Sequence, residues 1–473
     1  MIMKKFYLMA VCLLTATVFF ASCNKNNPTI TEAAFEMQLG NNETNTIRVS
    51  VIPSDENASY CVGLIMEDEY PGEDGLVSYI EKYVSEGAEL WKGTYNEVYE
   101  DLFWNTDYYA FAAQIDGGVV VGVPHVEKVK TYRPYVEFAP EGMLIAPYAV
   151  SDNGQWIVGN YDDGTTPNSY IYDVRRDSLT VVQGVVFYDV TDDGTAYGED
   201  MFCPIFWKDG KTTQIPAPEG SSESGFFGVT PDGSVAVGYS MDESFRSKAI
   251  IYENGVLSDL TGTDIYDETP YGITAKGIGS NGNIAGYLVN NSDWLEIGCS
   301  WTGASHEFDL FPKEFMVYNE ELLDGGGAWE KRYGDLEIRI SPNGRYYAAF
   351  MEVIESWEYM PMLQYVYDSQ ENVMHEITDA AYADWHPWAV TSDGLLFLSN
   401  SLTGVSDQPY VWDFNTDKVS TFAEYASANY GYAPEGVVIQ GLVMAVSDDA
   451  SVIVGNYTDE THFYTTIYFM PEK

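Results

Sequence analysis

Basic residues are scarce: 23 Lys and Arg stand against 72 Asp and Glu, for a net charge of −49. So acidic a chain repels phosphate backbones and anionic headgroups, which excludes nucleic acid as a partner. Cysteine is also sparse. Beyond Cys12 and Cys23 there remain Cys61, Cys203 and Cys299, far apart and without metal-ligand spacing. They read as small buried hydrophobes, with one disulfide among them left open. The histidines His125, His306, His375, His386 and His462 are scattered, and none belongs to an H-x-x-x-H, a nucleophile elbow or a triad. Gly325-Gly326-Gly327 lacks the Lys and the strand-to-helix setting of a phosphate loop. No catalytic residue, metal ligand or cofactor is assigned by such a sequence. With 72 acids, choosing two as a glycosidase pair would be arbitrary.

One long apolar run is present, from Phe6 to Phe20, after Lys4-Lys5 and before Ala21-Ser22-Cys23. It is too short for a membrane span and has the layout of an export signal. The Cys directly after small residues resembles the lipobox of bacterial lipoproteins. That resemblance implies cleavage after residue 22, lipidation of Cys23 and a membrane anchor, with residues 23–29 as a tether. Each buried acyl methylene contributes roughly 0.8 kcal/mol to such an anchor.

Residues 30–133 carry alternating strand-like runs, among them Phe35 to Leu39, Ile47 to Val51 and Tyr60 to Ile65. Leu76, Ile80 and Tyr83 fall at helical spacing, which predicts an inserted helix over Gly75 to Glu86. The segment Leu102 to Ala112 resembles the strand-F region of fibronectin type III domains, with Tyr108 in the place of the corner tyrosine. The resemblance implies an Ig/fibronectin III-like sandwich, commonly a spacer.

From Tyr135 to Lys473 the chain repeats. Ser/Thr-x-x-Gly landmarks precede apolar strands at Ser151–Gly154, Thr191–Gly194, Thr230–Gly233, Ser341–Gly344 and Thr391–Gly394. Gly279–Gly282 and Ser447–Ala450 are variants of the same landmark. Asn-Gly or Asp-Gly here predicts type I′ hairpins with positive φ at both central residues. An apolar-aromatic pair follows each landmark, as in Ile171-Tyr172, Phe206-Trp207 and Val411-Trp412. Two landmarks in step at about 40 to 60 residues predict an all-β, seven-bladed β-propeller over residues 135–473. The leftover segment 135–140 is expected to complete the last blade and so remove an exposed edge. The blades, as in Gly228 to Tyr239, resemble extracellular HAF repeats, and the whole layout resembles lipoproteins of Bacteroides-type bacteria. Those resemblances imply an outer-membrane location, at the periplasmic face or the cell surface.

Three residues before each landmark stand Tyr148, Tyr188, Phe227 and Trp388, with Ile338 and Met444 in two other repeats. In the remaining repeat an insertion moves Tyr271 out of step. Propellers bind at the mouth of their channel, so Tyr148, Tyr188, Phe227 and the cluster Trp385, His386 and Trp388 are the candidate ligand contacts. Packing between blades is the alternative role for the same aromatics. Asp162-Asp163-Gly164 and Asp192-Asp193-Gly194 read as hairpin turns rather than calcium loops, since neither has EF-hand spacing. The expected function is a monomeric, non-catalytic binding or scaffold module for glycan or protein. A propeller glycosidase or lyase, and a purely structural envelope component, are the rival expectations.

Overall fold

The computed structural model describes residues 33–41, 46–104, 106–131, 135–138, 144–162, 167–260, 272–289, 296–303, 305–311, 331–333, 337–355, 358–377, 385–399, 409–430, 442–458 and 463–469. The expected export signal, Cys23, Tyr271, Asp163-Gly164 and Gly325 to Gly327 lie outside them, as does the side chain of His386.

The N-terminal part holds two three-stranded sheets. One pairs β1 (Phe35–Asn41), β2 (Ile47–Pro53) and β4 (Tyr95–Tyr99); the other pairs β3 (Tyr60–Met66), β5 (Asp107–Asp116) and β6 (Val119–Lys130). Alternation sets the faces: Ile47, Val49 and Val51 are fully buried while Arg48 and Ile52 point outward. The inserted helix, α1, runs Gly72–Ser85. It lays Leu76 and Ile80 on Cys61, Ile65, Phe111 and Ala113 of the second sheet. The Tyr108 hydroxyl accepts a hydrogen bond from the Phe103 N–H at 2.9 Å.

Among the described residues after β6 there are seven antiparallel sheets. Six have four strands, and one, containing Tyr346–Glu355, has five. In the first four and the sixth, consecutive strands pair with their chain neighbours, as β8 (Leu144–Val150), β9 (Trp156–Asp162), β10 (Asn168–Asp173) and β11 (Ser178–Gln183) do in the first; in the fifth, Lys331–Tyr333 and Glu337–Ile340 both pair with Tyr346–Glu355. The seventh takes its outer strand from upstream: β7 (Tyr135–Phe138) pairs with β35 (Phe463–Phe469), Ile467 opposite Val136. First strands lie against first strands from sheet to sheet, and that of the last sheet also lies against β8. The core is therefore a series of apolar layers between neighbouring sheets. Val454 and Ile467 of the last sheet pack with Ile145, Ile157 and Tyr170 of the first.

The landmark turns depart from expectation. Only their last residue has positive φ: Gly154 at 71°, Gly194 at 80°, Gly233 at 71°, and Ala450 at 56° where the Gly is missing. They are type I turns closed by a left-handed residue, not type I′, in loops of three residues after Thr191, Gly279 and Thr391 and of four after Ser151, Thr230, Ser341 and Ser447. A side-chain lattice explains the choice. Ser151 Oγ donates to Asn153 Oδ1 and accepts from the Trp156 N–H, while Asn153 Oδ1 also accepts from the Gln155 N–H. Thr191 with Asp193, Thr230 with Asp232 and Ser447 with Asp449 repeat it. Hydroxyl and carboxyl (or amide) thus hold the central residues right-handed, and only the last position needs Gly. Replacing Gly154 by Ala places a Cβ 2.6 Å from Val452 Cγ2 in a left-handed backbone. We expect Gly154→Ala to cost about 1–2 kcal/mol through the backbone alone, read as a lower denaturant midpoint at unchanged slope.

The turns also stitch sheet to sheet. Asp448 N–H donates to the Asp152 carbonyl, Asn153 N–H to Asp192 Oδ1, Asp192 N–H to the Pro231 carbonyl and Ser280 N–H to the Pro342 carbonyl. One helix went unanticipated: α2 (Phe422–Tyr430) follows directly on an outer strand, with Glu424 capping the Thr421 N–H.

Candidate functional site

Tyr148, Tyr188, Phe227, Trp388 and Met444 do not sit on loops. Each occupies a β-bulge inside the first strand of its sheet, at register shifts between Pro147 and Ala149, Phe187 and Asp189, Phe226 and Gly228, Pro387 and Ala389, and Val443 and Ala445. A bulge re-aims its extra residue out of the alternating pattern. In the fourth sheet the bulged residue is Lys276, between Ala275 and Gly277; Tyr271, out of step in the sequence, lies outside the described residues. The fifth sheet pairs Ile338 with Ala349 without a shift, so Ile338 turns into the core at 3 % exposure.

A glycine faces most of these bulges. Gly159, Gly198, Gly238 and Gly286 pair across from them, and a Cβ on any one would fall well inside contact with a first-strand carbonyl oxygen, of Ala146, Val186, Gly225 or Thr274. The Gly in these Val-Gly, Tyr-Gly and Ala-Gly steps thus makes room for the bulge that carries the candidate side chain. Sequence reading found the aromatics but not this partner.

Three candidates meet. Tyr148 and Tyr188 are edge-to-face with ring centroids 5.5 Å apart, and Tyr188 and Phe227 likewise at 4.8 Å. Phe227 stacks on Tyr239 at 5.0 Å, and Lys276 Nζ lies 4.4 Å from the Phe227 ring centroid. The row is half-buried except for Tyr148, which is 45 % exposed. Trp385 and Trp388 belong to a different sheet. Trp385 stands edge-on to Tyr410 at 4.2 Å and packs against that sheet's core, and the Trp388 carbonyl accepts from Arg339 Nε at 3.2 Å. Lys276 and Arg339 were not foreseen; the landmark offset would have found Lys276 had the repeat's insertion been placed upstream of it.

Behind the row lies Glu199, 8 % exposed. Its Oε1 accepts from Tyr188 at 3.1 Å and its Oε2 from Tyr239 at 2.8 Å. The Tyr239 hydroxyl also lies 2.5 Å from Glu223 Oε1. Burial pushes the Glu199 carboxyl up, opposed by the two tyrosine bonds and reinforced by Glu223 and Asp200. Both phenols are pushed well above their ordinary range, first by burial and then by these carboxylates, so both keep their protons. A second acidic group lies among the landmark turns. Burial pushes Asp152 up to about 7, with Asp189, Asp192 and Asp448 adding like-charge repulsion. Burial likewise lifts Asp189 to about 7 against hydrogen bonds from the Val229 and Val190 N–H groups. Among the described residues no three acids, histidines or cysteines converge as a metal site. Cys61, Cys203 and Cys299 are free thiols, and burial pushes Cys61 up to about 11.

Successive four-stranded antiparallel sheets whose first strands line one axis define a β-propeller protein. No protein-family model matches the chain, and no curated protein matches it. Among solved structures it is similar to an oligogalacturonate lyase from Vibrio parahaemolyticus, at TM-score 0.44 and 8 % identity over 72 % of this chain and 97 % of that one. It is also similar to TolB from Acinetobacter baumannii (TM-score 0.33, 8 % identity, 82 % and 79 % covered) and to the Dos1 propeller (0.38, 10 %, 71 % and 95 %). Likeness at this level says nothing of activity.

Proposed function

We propose that the protein is an outer-membrane lipoprotein tethered through Cys23, in which an Ig/fibronectin III-like sandwich carries a seven-bladed β-propeller that binds glycan. The observation behind this reading is the contiguous row Tyr148–Tyr188–Phe227, set on bulges rather than on regular strand positions. Bulges expend ladder hydrogen bonds to aim side chains, and aromatic faces beside hydroxyls and carboxyls suit the apolar and polar faces of a sugar. Glu199 and Glu223 beside the row disfavour uronate or sulfated ligands, so the ligand class is neutral oligosaccharide. Supporting the sandwich assignment are the Tyr108 hydroxyl bonded back to Phe103 and the presence of two three-stranded sheets.

Tyr148 separates binding from packing, being the most exposed of the row. Tyr148→Ala should weaken binding of a neutral oligosaccharide about tenfold, the size of one aromatic contact, and leave the melting midpoint within a degree or so of wild type. A midpoint falling by several degrees, with no oligosaccharide bound by the wild type, would make the row inter-blade packing and turn the search to a protein partner in the envelope. The pair Glu199 and Glu223 gives a second reading, glycoside hydrolysis, substance; chromatographic appearance of shortened products that is abolished in Glu199→Gln would establish it.

A further inference from the structure

We propose that Glu199 and Glu223 share a single proton across the Tyr239 hydroxyl, forming a proton-operated latch behind the aromatic row. The argument is a count of protons. Three oxygen–oxygen contacts join the group: Tyr188 to Glu199 at 3.1 Å, Tyr239 to Glu199 at 2.8 Å and Tyr239 to Glu223 at 2.5 Å. Tyr188 and Tyr239 supply one phenolic proton each, and an ionised carboxylate only accepts. Two protons cannot make three bonds. The third must sit on a carboxyl, and the 2.5 Å separation falls in the range of a hydrogen bond between a hydroxyl and an ionised oxygen.

The surroundings keep that proton in place. Glu199 lies on β13 (Ala196–Glu199); it faces Tyr188 from β12 (Val186–Val190), Glu223 from β16 (Ser221–Val229) and Tyr239 from β17 (Val235–Asp242), with Asp200 next in its own chain and Tyr148 beside Tyr188. Every ionisable neighbour in that set is an acid or a phenol. The nearby cation, Lys276, lies over the Phe227 ring. Losing the proton would place two carboxylates against one phenol oxygen, and one of them must withdraw. Because Tyr239 stacks on Phe227, which meets Tyr188 edge-on, withdrawal loosens the row.

Infrared difference spectroscopy across a pH titration tests this through the C=O stretch of protonated carboxyls, independently of any ligand. Wild type should show such a band above the ordinary carboxyl range, to which Asp152 and Asp189 also contribute, and it should lose one carboxyl's worth of amplitude in Glu199→Gln and in Glu223→Gln alike. Tyr239→Phe, which keeps the stacked ring but removes the bridge, should shift that component to lower pH. An amplitude unchanged in Glu223→Gln but reduced in Glu199→Gln overturns the sharing and leaves Glu199 protonated by burial alone. An amplitude unchanged in both Glu variants overturns it too, because the band then belongs to the turn cluster. Should Glu199→Gln not fold, the half-buried Glu223→Gln decides the matter by itself.

Discussion

Raising the pH from about 5 to about 8 should lower the unfolding midpoint of this protein, whereas carboxylate-rich proteins usually lose stability on acidification. The cause lies in Asp152 and Asp189, both lifted from 3.8 to about 7 in the folded chain. A carboxyl with a raised folded pKa binds its proton more tightly folded than unfolded. Its contribution is fully present below the unfolded value and is lost as pH rises through about 7. Each such group can contribute a slope of up to about 1.4 kcal/mol per pH unit inside that window. Groups of the opposite sign act elsewhere. Asp193, held down to about 2 by hydrogen bonds from Thr191, Thr195 and Lys208 against the effect of burial, protects the fold only above that pH and loses its contribution in stronger acid. The midpoint should therefore peak near pH 4–5 and fall by several degrees towards pH 8. Asp152→Asn, which removes one of the crowded charges among the landmark turns, should flatten the descending limb and raise the midpoint at pH 8. A midpoint that climbs between pH 5 and 8 in scanning calorimetry would refute the assignment of buried, proton-bearing acids.

Gly198→Ala should be among the most damaging single-methyl additions. Its Cβ would be driven into the carbonyl of Val186, with Phe187 Cα also 3.0 Å away, and backbone on both sides leaves nothing flexible to yield. Overpacking of that kind costs about 1–3 kcal/mol, more where the strand itself must move. The effect should not stop at stability. The carbonyl that must retreat is two residues before Tyr188, at the edge of the bulge that aims it. Denaturant unfolding should show the lost stability, and the variant that remains folded should bind oligosaccharide at least as weakly as Tyr188→Ala does. A variant as stable as wild type would mean that the bulge is free to shift.

The repeat was legible because its signals are local. Hydroxyl, acid or amide, and Gly within four residues build one turn, and the downstream aromatic pair fixes the register of its sheet. The sense of the turn was not legible in the same way: Asn-Gly and Asp-Gly fit two hairpin types, and the deciding bonds run from Ser151 and Asn153 to backbone beyond the turn. Of the candidate site, Tyr148, Tyr188 and Phe227 could be read by offset, whereas Glu199 and Glu223 could not. The latter two occupy different strands and are brought together only through Tyr239, and nothing in the sequence separates them from the other acids. Lys276 was hidden by an assumption about size, since an aromatic was sought where the fold accepts any long side chain that can lie on its neighbour's ring. Helix α2 escaped because Phe422 reads equally well as the end of a strand.

The pairing of Tyr135–Phe138 with Phe463–Phe469 also sets an order of assembly. Strands made early must wait, unpaired on one side, until Phe463–Phe469 has been synthesised, as must the buried contact of Tyr170 with Thr465, 295 positions later. Such remote closure is slow to form. Until it forms, the early sheets present open edges to every other chain in the compartment. A nascent or truncated protein lacking Phe463–Phe469 is thus a different hazard from a mutant with a weakened core: its sheets can be well made and still leave an edge seeking a strand. For this molecule the vulnerable interval is the time between the synthesis of its first sheet and the arrival of its last.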